Sequence, residues 1–212
     1  MQKAKQKYPD SSEEIKCRQH GHKIVVGLDE VGRGPLAGPV VAAAVCVAAN
    51  LKFEIRDSKK LSPKQRDLWY EILTKHPDIK WAIGAVSERV IDKINIFEAT
   101  KLAMMRAIAN LKIEPEFLLL DGNFTLEKLS ISQKAIVRGD ERVFSCAAAS
   151  IIAKVTRDRL MCRMSKKYPE YAFEKHKGYG TQLHRETIKK HGPCKIHRLS
   201  FKSVCKKDRD VL

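Results

Sequence analysis

The 212-residue chain reads as an α/β domain built on a mixed sheet. Three observations predict this. Short apolar runs with the make-up of buried strands recur along the chain. Segments with apolar residues at helical spacing lie between them. The predicted order is β-β-α-β-α-β-β-α-α, so hairpin-like strands come first and crossovers follow.

Residues 24–47 read IVVGLDEVGRGPLAGPVVAAAVCV. The apolar runs at 24–28 and 40–47 predict two strands. Gly32, Gly34, Pro35, Gly38 and Pro39 predict a turn that brings the second strand back beside the first. Ser62 before Pro63 is an N-cap followed by a first-turn proline, so a helix is expected over 63–74. A strand is expected over 81–86, then a turn with a short helix over 87–95. Leu102, Met105, Ile108, Ala109 and Leu111 predict a helix over 97–111. The wholly apolar 117–120 predicts a buried strand ending at Asp121-Gly122-Asn123, and a short strand follows at 135–137. Residues 143–164 read as a long helix whose Ala147, Ala148, Ala149, Ser150 and Ala153 allow close packing on a sheet. Thr181 is placed to cap a last helix ending at His191-Gly192-Pro193. The polar stretch before residue 23 is expected to be poorly ordered or loosely docked, with Ser11-Ser12-Glu13-Glu14 able to begin a short helix.

A net charge of +16, from 41 Lys and Arg against 25 Asp and Glu, points to a polyanionic partner. Beyond Ser165, Lys166, Lys167, Lys175, His176, Lys177, Arg185, Lys189 and Lys190 are interleaved with Tyr168, Tyr171, Phe173 and Tyr179, the make-up of a nucleic-acid surface. No apolar run is long enough for a transmembrane helix, and the N-terminus lacks the apolar core of a secretory signal. A cytoplasmic protein is expected. The six cysteines have irregular gaps and no Cys-x-x-Cys pair, which argues against a zinc site and a disulfide framework and for reduced thiols. Nothing matches a P-loop or a dinucleotide fingerprint.

Four acids carry the chemistry: Asp29, Glu30, Asp121 and Asp140. Three of them lie at or just past a predicted strand end, the edge where ligands gather in open α/β sheets. Any one alone is most simply a strand-end cap or turn former; four together in so basic a chain are not. Carboxylates are hard oxygen ligands suited to Mg²⁺ or Mn²⁺. Such ions activate water and stabilise in-line displacement at phosphorus. The combination of basic charge and clustered acids therefore predicts a metal-dependent nuclease. One geometric difficulty follows: neighbouring strand residues point to opposite faces, so Asp29 and Glu30 cannot both serve one metal from a regular strand. The strand is expected to end there, or Glu30 to contribute its carbonyl. Gly32-Arg33-Gly34 suits close backbone approach to a sugar or phosphate.

The run Asp29-Glu30-Val31-Gly32-Arg33-Gly34-Pro35-Leu36-Ala37-Gly38-Pro39-Val40 resembles the signature of the type 2 ribonucleases H, specifically bacterial ribonuclease HII. The resemblance continues through Asp57-Ser58-Lys59-Lys60-Leu61, Asn95-Ile96 with Ala99-Thr100, Asp121-Gly122-Asn123, and Gly139-Asp140 with the helix start at 147–154. It ends with His176-Lys177-Gly178-Tyr179-Gly180-Thr181 and His197-Arg198-Leu199-Ser200-Phe201, so it covers about Lys23 to Val204. It implies a ribonuclease H-like fold, a five-stranded mixed sheet flanked by helices, with a small helical C-terminal part. It implies endonucleolytic cleavage of the RNA strand of RNA–DNA hybrids, and cutting on the 5′ side of single ribonucleotides in duplex DNA, leaving 3′-hydroxyl and 5′-phosphate ends. By the same resemblance Asp29, Glu30, Asp121 and Asp140 are catalytic and hold Mg²⁺ or Mn²⁺. Gly32, Arg33 and Gly34 then read the ribose 2′-hydroxyl, Tyr179 stacks on the next sugar, and Lys59 and Lys60 contact phosphate. The parts expected are a polar tail (1–22), a catalytic domain (23–165) and a basic, aromatic-rich helical segment that aids substrate binding (166–212). A monomer that binds no membrane is expected. A sliding-clamp contact stays open, without support in the sequence. Two rivals share part of the pattern. A non-catalytic protein binding structured RNA gains nothing from carboxylates facing phosphate. A junction resolvase shares the acids without needing Gly32-Arg33-Gly34 and Tyr179.

Overall fold

The computed structural model describes residues 8–48 and 61–204. Lys59 and Lys60, with the Asp57-Ser58 before them, lie outside the described residues. In chain order the elements are α1 (Ser12–Gln19), β1 (Val25–Val31), β2 (Val40–Val47), α2 (Pro63–Lys75), β3 (Ile79–Val86), α3 (Glu88–Asn110), β4 (Phe117–Asp121), β5 (Ser132–Ile136), α4 (Phe144–Lys167), α5 (Phe173–His176) and α6 (Gln182–His191). The sheet order is β3-β2-β1-β4-β5. β2 pairs antiparallel with β1 and β3, while β4 pairs parallel with β1 and β5. The sheet is therefore mixed and five-stranded, as the resemblance implied.

The apolar run of β2 is continuous because both faces of the strand are covered. Val40, Ala42 and Ala44 join a cluster with Ala99, Ala103, Met104 and Ala107 of α3. Val41, Ala43 and Val45 join another with Ala147, Ala148, Ala149 and Ile152 of α4. Alternation at period two thus sends each half of the strand to a different helix. Small residues on α4 let it sit close. At Gly27 of β1 an added Cβ would lie 2.5 Å from the backbone carbon of Ser145, so only glycine lets the first turn of α4 reach the sheet here.

Helix ends follow their sequence signals. Ser62 and Gln65 close a reciprocal capping box on α2. Thr181 Oγ1 accepts the His184 N–H at 3.3 Å on α6. The turn expected before 97 is a kink inside α3: Asn95 has φ 65° and ψ 168°. Its Oδ1 accepts the N–H groups of Phe97 and Glu98 at 2.9 and 3.1 Å, so it acts as an N-cap at the kink. β5 begins three residues before the expected 135, because its half-exposed face is polar and carries no apolar run.

Three expectations need correction. β1 does not end between Asp29 and Glu30; it runs to Val31, with Asp29 paired to Ala43 and Glu30 to Ala42. The N-terminal segment is not loose where it is described. α1 docks with Glu14 fully buried, its Oε1 accepting the Ser145 N–H at 2.8 Å in the first turn of α4. Of the aromatics expected to face nucleic acid, Tyr171 and Phe173 are core residues, packed with Leu36, Ala37, Met161 and Ile188. α4 runs on to Lys167. Among the described residues the cysteines are free thiols, and no helix is long and apolar enough to cross a membrane.

Burial pushes the Glu14 carboxyl above its ordinary range, against the pull of the Ser145 hydrogen bonds. An acid with a raised folded pKa keeps its proton in the folded state, so its contribution to stability falls as pH rises through that pKa. Glu14→Ala leaves the Ser145 N–H without its acceptor and is expected to destabilise by about 1–3 kcal/mol. Glu14→Gln keeps an acceptor and carries no charge. Denaturant unfolding should show the glutamine variant gaining on the parent from pH 4 to pH 7; the opposite trend would remove burial as the dominant influence on Glu14.

Candidate active site

Parallel pairing aligns Leu28 with Leu120, which places the next residues, Asp29 and Asp121, side by side at one sheet edge. Asp140 comes from the 3-10 turn Gly139–Glu141, between β5 and α4. One carboxylate oxygen from each of Asp29, Asp121 and Asp140 lies within 4.8 Å of the others. Asp29 and Asp140 are buried and Asp121 is half-buried. The carboxylates are fixed by neighbours. Asp29 Oδ1 accepts the Glu30 N–H at 2.7 Å, and the Ser150 hydroxyl also bonds Asp29. Asp121 Oδ1 accepts the Gly139 N–H at 2.7 Å, which ties β4 to the turn carrying Asp140.

This arrangement is unfavourable in isolation. Two unit charges 4.8 Å apart repel by about 3.5 kcal/mol at an effective dielectric of 20. Burial first, then the charges of Glu30, Asp121 and Asp140, raise the Asp29 pKa well above the carboxylate range; only the Ser150 hydrogen bond opposes them strongly. Burial and Asp121 raise Glu30 as well, against the pull of Arg33. An all-oxygen donor set that is crowded and held by main-chain and hydroxyl donors fits a hard divalent cation.

Asp29 and Asp121 open onto a cleft of about 330 Å³, lined also by Glu30, Val31, Arg66, Ser150, Lys154 and Tyr179. Glu30 is outside the three-carboxylate group, yet it lines this cleft. The difficulty of two adjacent acids is thus met without ending the strand: the cleft wraps the sheet edge. Arg33 closes back on Glu30, Nη1 to Oε1 at 3.3 Å. The Leu36 N–H donates to the Gly178 carbonyl at 2.8 Å, joining the glycine loop to the Tyr179 segment. Tyr179 is exposed, with Lys154 Nζ 5.7 Å from its ring centroid. Ser150, Lys154 and Arg66 are cleft residues that the sequence reading missed. Ser150 and Lys154 stand one helical turn apart, a spacing that acquires meaning only once the sheet-facing side of α4 is known.

The family model for ribonuclease HII matches residues 26–204. The chain belongs to the ribonuclease HII family. A ribonuclease HII from Caldicellulosiruptor bescii is 51% identical over 189 residues, covering 89% of this chain and 91% of that one. Among solved structures, ribonuclease H2 from Pyrococcus horikoshii superposes with a TM-score of 0.71 at 26% identity, covering 85% of this chain and 95% of that one. The ribonuclease HII solved in complex with PCNA from Archaeoglobus fulgidus has a TM-score of 0.71 at 29% identity, covering 89% and 98%. The fold is ribonuclease H-like, and the protein is a type 2 ribonuclease H, an endonuclease acting on RNA–DNA hybrids.

In this ribonuclease HII the Tyr179 segment rests on three buried histidines. The Cys194 N–H donates to His197 Nδ1 at 2.9 Å, closer than the 3.3 Å to the Cys194 carbonyl, which makes Nδ1 an acceptor. His197 then carries its proton on Nε2, facing His184 Nε2 at 3.0 Å, and His184 Nδ1 donates to the Tyr179 carbonyl at 2.9 Å. His176 stacks on His184, with ring centroids 4.3 Å apart. Adding a proton to His184 Nε2 or His197 Nδ1 sets two donors against each other.

Burial first, opposed by backbone hydrogen bonds to Tyr179 and Cys194 and helped by the neighbouring histidines, lowers His184 and His197 to about 4, and burial lowers His176 too. These folded pKa values lie below the unfolded one, so the contribution to stability is complete above about pH 6.5 and is lost as pH falls toward 4. Urea unfolding at pH 7, 6 and 5 should show a progressive loss. His197→Gln should flatten that slope, and an unchanged slope in this variant would exclude the histidine chain as its source.

Proposed function

We propose that this ribonuclease HII cuts on the 5′ side of a ribonucleotide embedded in duplex DNA, as well as in longer hybrids, leaving 3′-hydroxyl and 5′-phosphate ends. The observation that carries this reading is the meeting of two features beside Tyr179, which lines the cleft with Asp29 and Asp121. One is a cluster of three carboxylates within 4.8 Å. The other is an exposed Gly34 whose hypothetical Cβ would lie 4.0 Å from the Tyr179 ring. The 2′-hydroxyl is the group by which a protein tells RNA from DNA, and a backbone bare of Cβ allows it close approach.

In this reading Asp29, Asp121 and Asp140 hold Mg²⁺ or Mn²⁺ with Glu30 beside them, and the bound ion supplies an activated water and charge neutralisation at the scissile phosphate. Ser150 and the Gly139 N–H keep the carboxylates aimed. Lys154 and Arg66 bring positive charge to the cleft where the phosphate backbone enters. Gly32, Arg33 and Gly34 present backbone groups to the ribose, and Tyr179 offers a ring face to the next sugar. Lys59 and Lys60 are carried as phosphate contacts by the resemblance alone.

Duplex DNA with one ribonucleotide, incubated with Mg²⁺ or Mn²⁺, should be cut on the 5′ side of that ribonucleotide, and a chelator should stop the reaction. Cutting that survives the chelator, or falls elsewhere, would falsify this reading. Asp29→Asn should lower turnover by about 10²–10³-fold or more, the scale of losing a preorganised charge at a reacting centre. Gly34→Ala separates fold from substrate approach. Its new Cβ meets nothing closer than Tyr179 at 4.0 Å, so the melting temperature should hold. Cleavage beside the ribonucleotide should nonetheless drop about tenfold, by crowding of the ribose. Undiminished cleavage in this variant would take Gly34 out of the ribose contact.

A further inference from the structure

Arg198 is fully buried in the loop after α6, and no carboxylate bonds it. Among the described residues its guanidinium donates to main-chain carbonyls, and it lies 5.1 Å from the Phe201 ring centroid. Nε and Nη2 donate to Gly38 at 3.0 and 2.8 Å, Nη1 to Arg33 at 2.9 Å, and Nη2 to Gly32 at 2.6 Å. A second buried guanidinium, Arg157 of α4, donates to the carbonyls of Pro39, Lys177 and Ala37 at 2.9–3.0 Å. The two cations share one loop, and burying an ion this way costs several kcal/mol before its hydrogen bonds offset it. Burial and the charge of Arg157 bring the Arg198 pKa down to about 9. So strained a placement needs a reason.

The reason lies in the peptide planes. In a trans peptide the carbonyl of one residue and the N–H of the next point in opposite directions. Arg198 draws the Gly32 and Arg33 carbonyls inward, which turns the N–H groups of Arg33 and Gly34 outward. Both residues are exposed, and Gly34 borders Tyr179. Among the described residues neither amide meets a protein acceptor. Three carbonyl dipoles converging on one point repel unless a cation with planar, divergent donors stands between them, and a lysine ammonium lacks that fork.

We propose that Arg198 is a positioning residue for ribose recognition: by holding the Gly32 and Arg33 carbonyls it aims two outward amides at the 2′-hydroxyl of the ribonucleotide. This rests on the ribose-reading role assigned to the glycine loop above. Arg198 touches no substrate and acts through the loop. Its own loop is pinned from outside by Asp92, whose carboxylate accepts the N–H groups of Leu199 and Ser200 at 2.9 and 3.0 Å and the Ser200 hydroxyl at 2.6 Å.

The test is binding in metal-free buffer, comparing a duplex with one ribonucleotide against the all-DNA duplex of the same sequence. The wild type should prefer the ribonucleotide duplex. Arg198→Lys should shrink that preference by about fivefold, the worth of one net hydrogen bond, while affinity for the all-DNA duplex holds. Equal weakening of both duplexes, or an undiminished preference, overturns the positioning role. If Arg198→Lys does not fold, Asp92→Asn decides, because it loosens the same loop from a half-buried position outside the guanidinium's own contacts. A narrowed preference supports the proposal and an unchanged one overturns it. A wild type without any preference rejects the ribose-reading role itself, so the two failures are told apart.

Discussion

The parallel pairing of β1 with β4 sets Val25 opposite Phe117 and Leu28 opposite Leu120, and so delivers aspartates from two distant segments to one edge. A slip of one residue would turn Asp29 or Asp121 to the other face and scatter the cluster. The register is held by burial. Val26, Leu28, Leu118 and Leu120 face the α3 side, while Val25 and Leu119 pack with Val143 and Cys146 at the start of α4. A fully buried Leu contributes about 1.5–3 kcal/mol. The repulsion within a carboxylate pair is of that size, so a handful of leucines suffices to hold like charges together. The apolar core is thus the device that keeps the site crowded, while burial raises the pKa of the Asp29 carboxyl.

Around that edge several charges are held by backbone dipoles. Asp29 and Asp121 accept main-chain N–H groups, and Arg157 and Arg198 donate to main-chain carbonyls. Neutral imidazoles hold the Tyr179 carbonyl. Ion pairs with these groups would neutralise the field that a metal and a polyanion need. Backbone partners leave the charges in place while fixing their directions.

The +16 background and the acidic cleft divide the work of recognition. Long-range attraction to phosphate comes from the many surface Lys and Arg and is sequence-independent. Selection among sugars needs short-range contacts, and in the proposed reading the glycine loop and its exposed neighbour Tyr179 offer them beside the carboxylates.

Much of this was readable from residue order. The β2 run announced a doubly buried strand, Ser62-Pro63 and Thr181 announced helix starts, and Asp29, Asp121 and Asp140 stood out as acids beside predicted strand ends. What escaped did so for physical reasons. β5 hid because its exposed face is polar. α1 looked like a tail because the value of Glu14 lies in a hydrogen bond to Ser145, far away in sequence. Tyr171, Phe173 and Tyr179 look alike in the chain, yet two are core and one is exposed, since exposure depends on which side of a folded-back segment faces Leu36 and Ile188. Composition, periodicity and capping chemistry are local, so the sequence by itself determined the elements, the charge and the donor types. Distances between carboxylates, the continuation of β1 through Glu30, and the partners of Arg157 and Arg198 were decided by tertiary structure alone, because each depends on a register or a burial that only long-range packing sets.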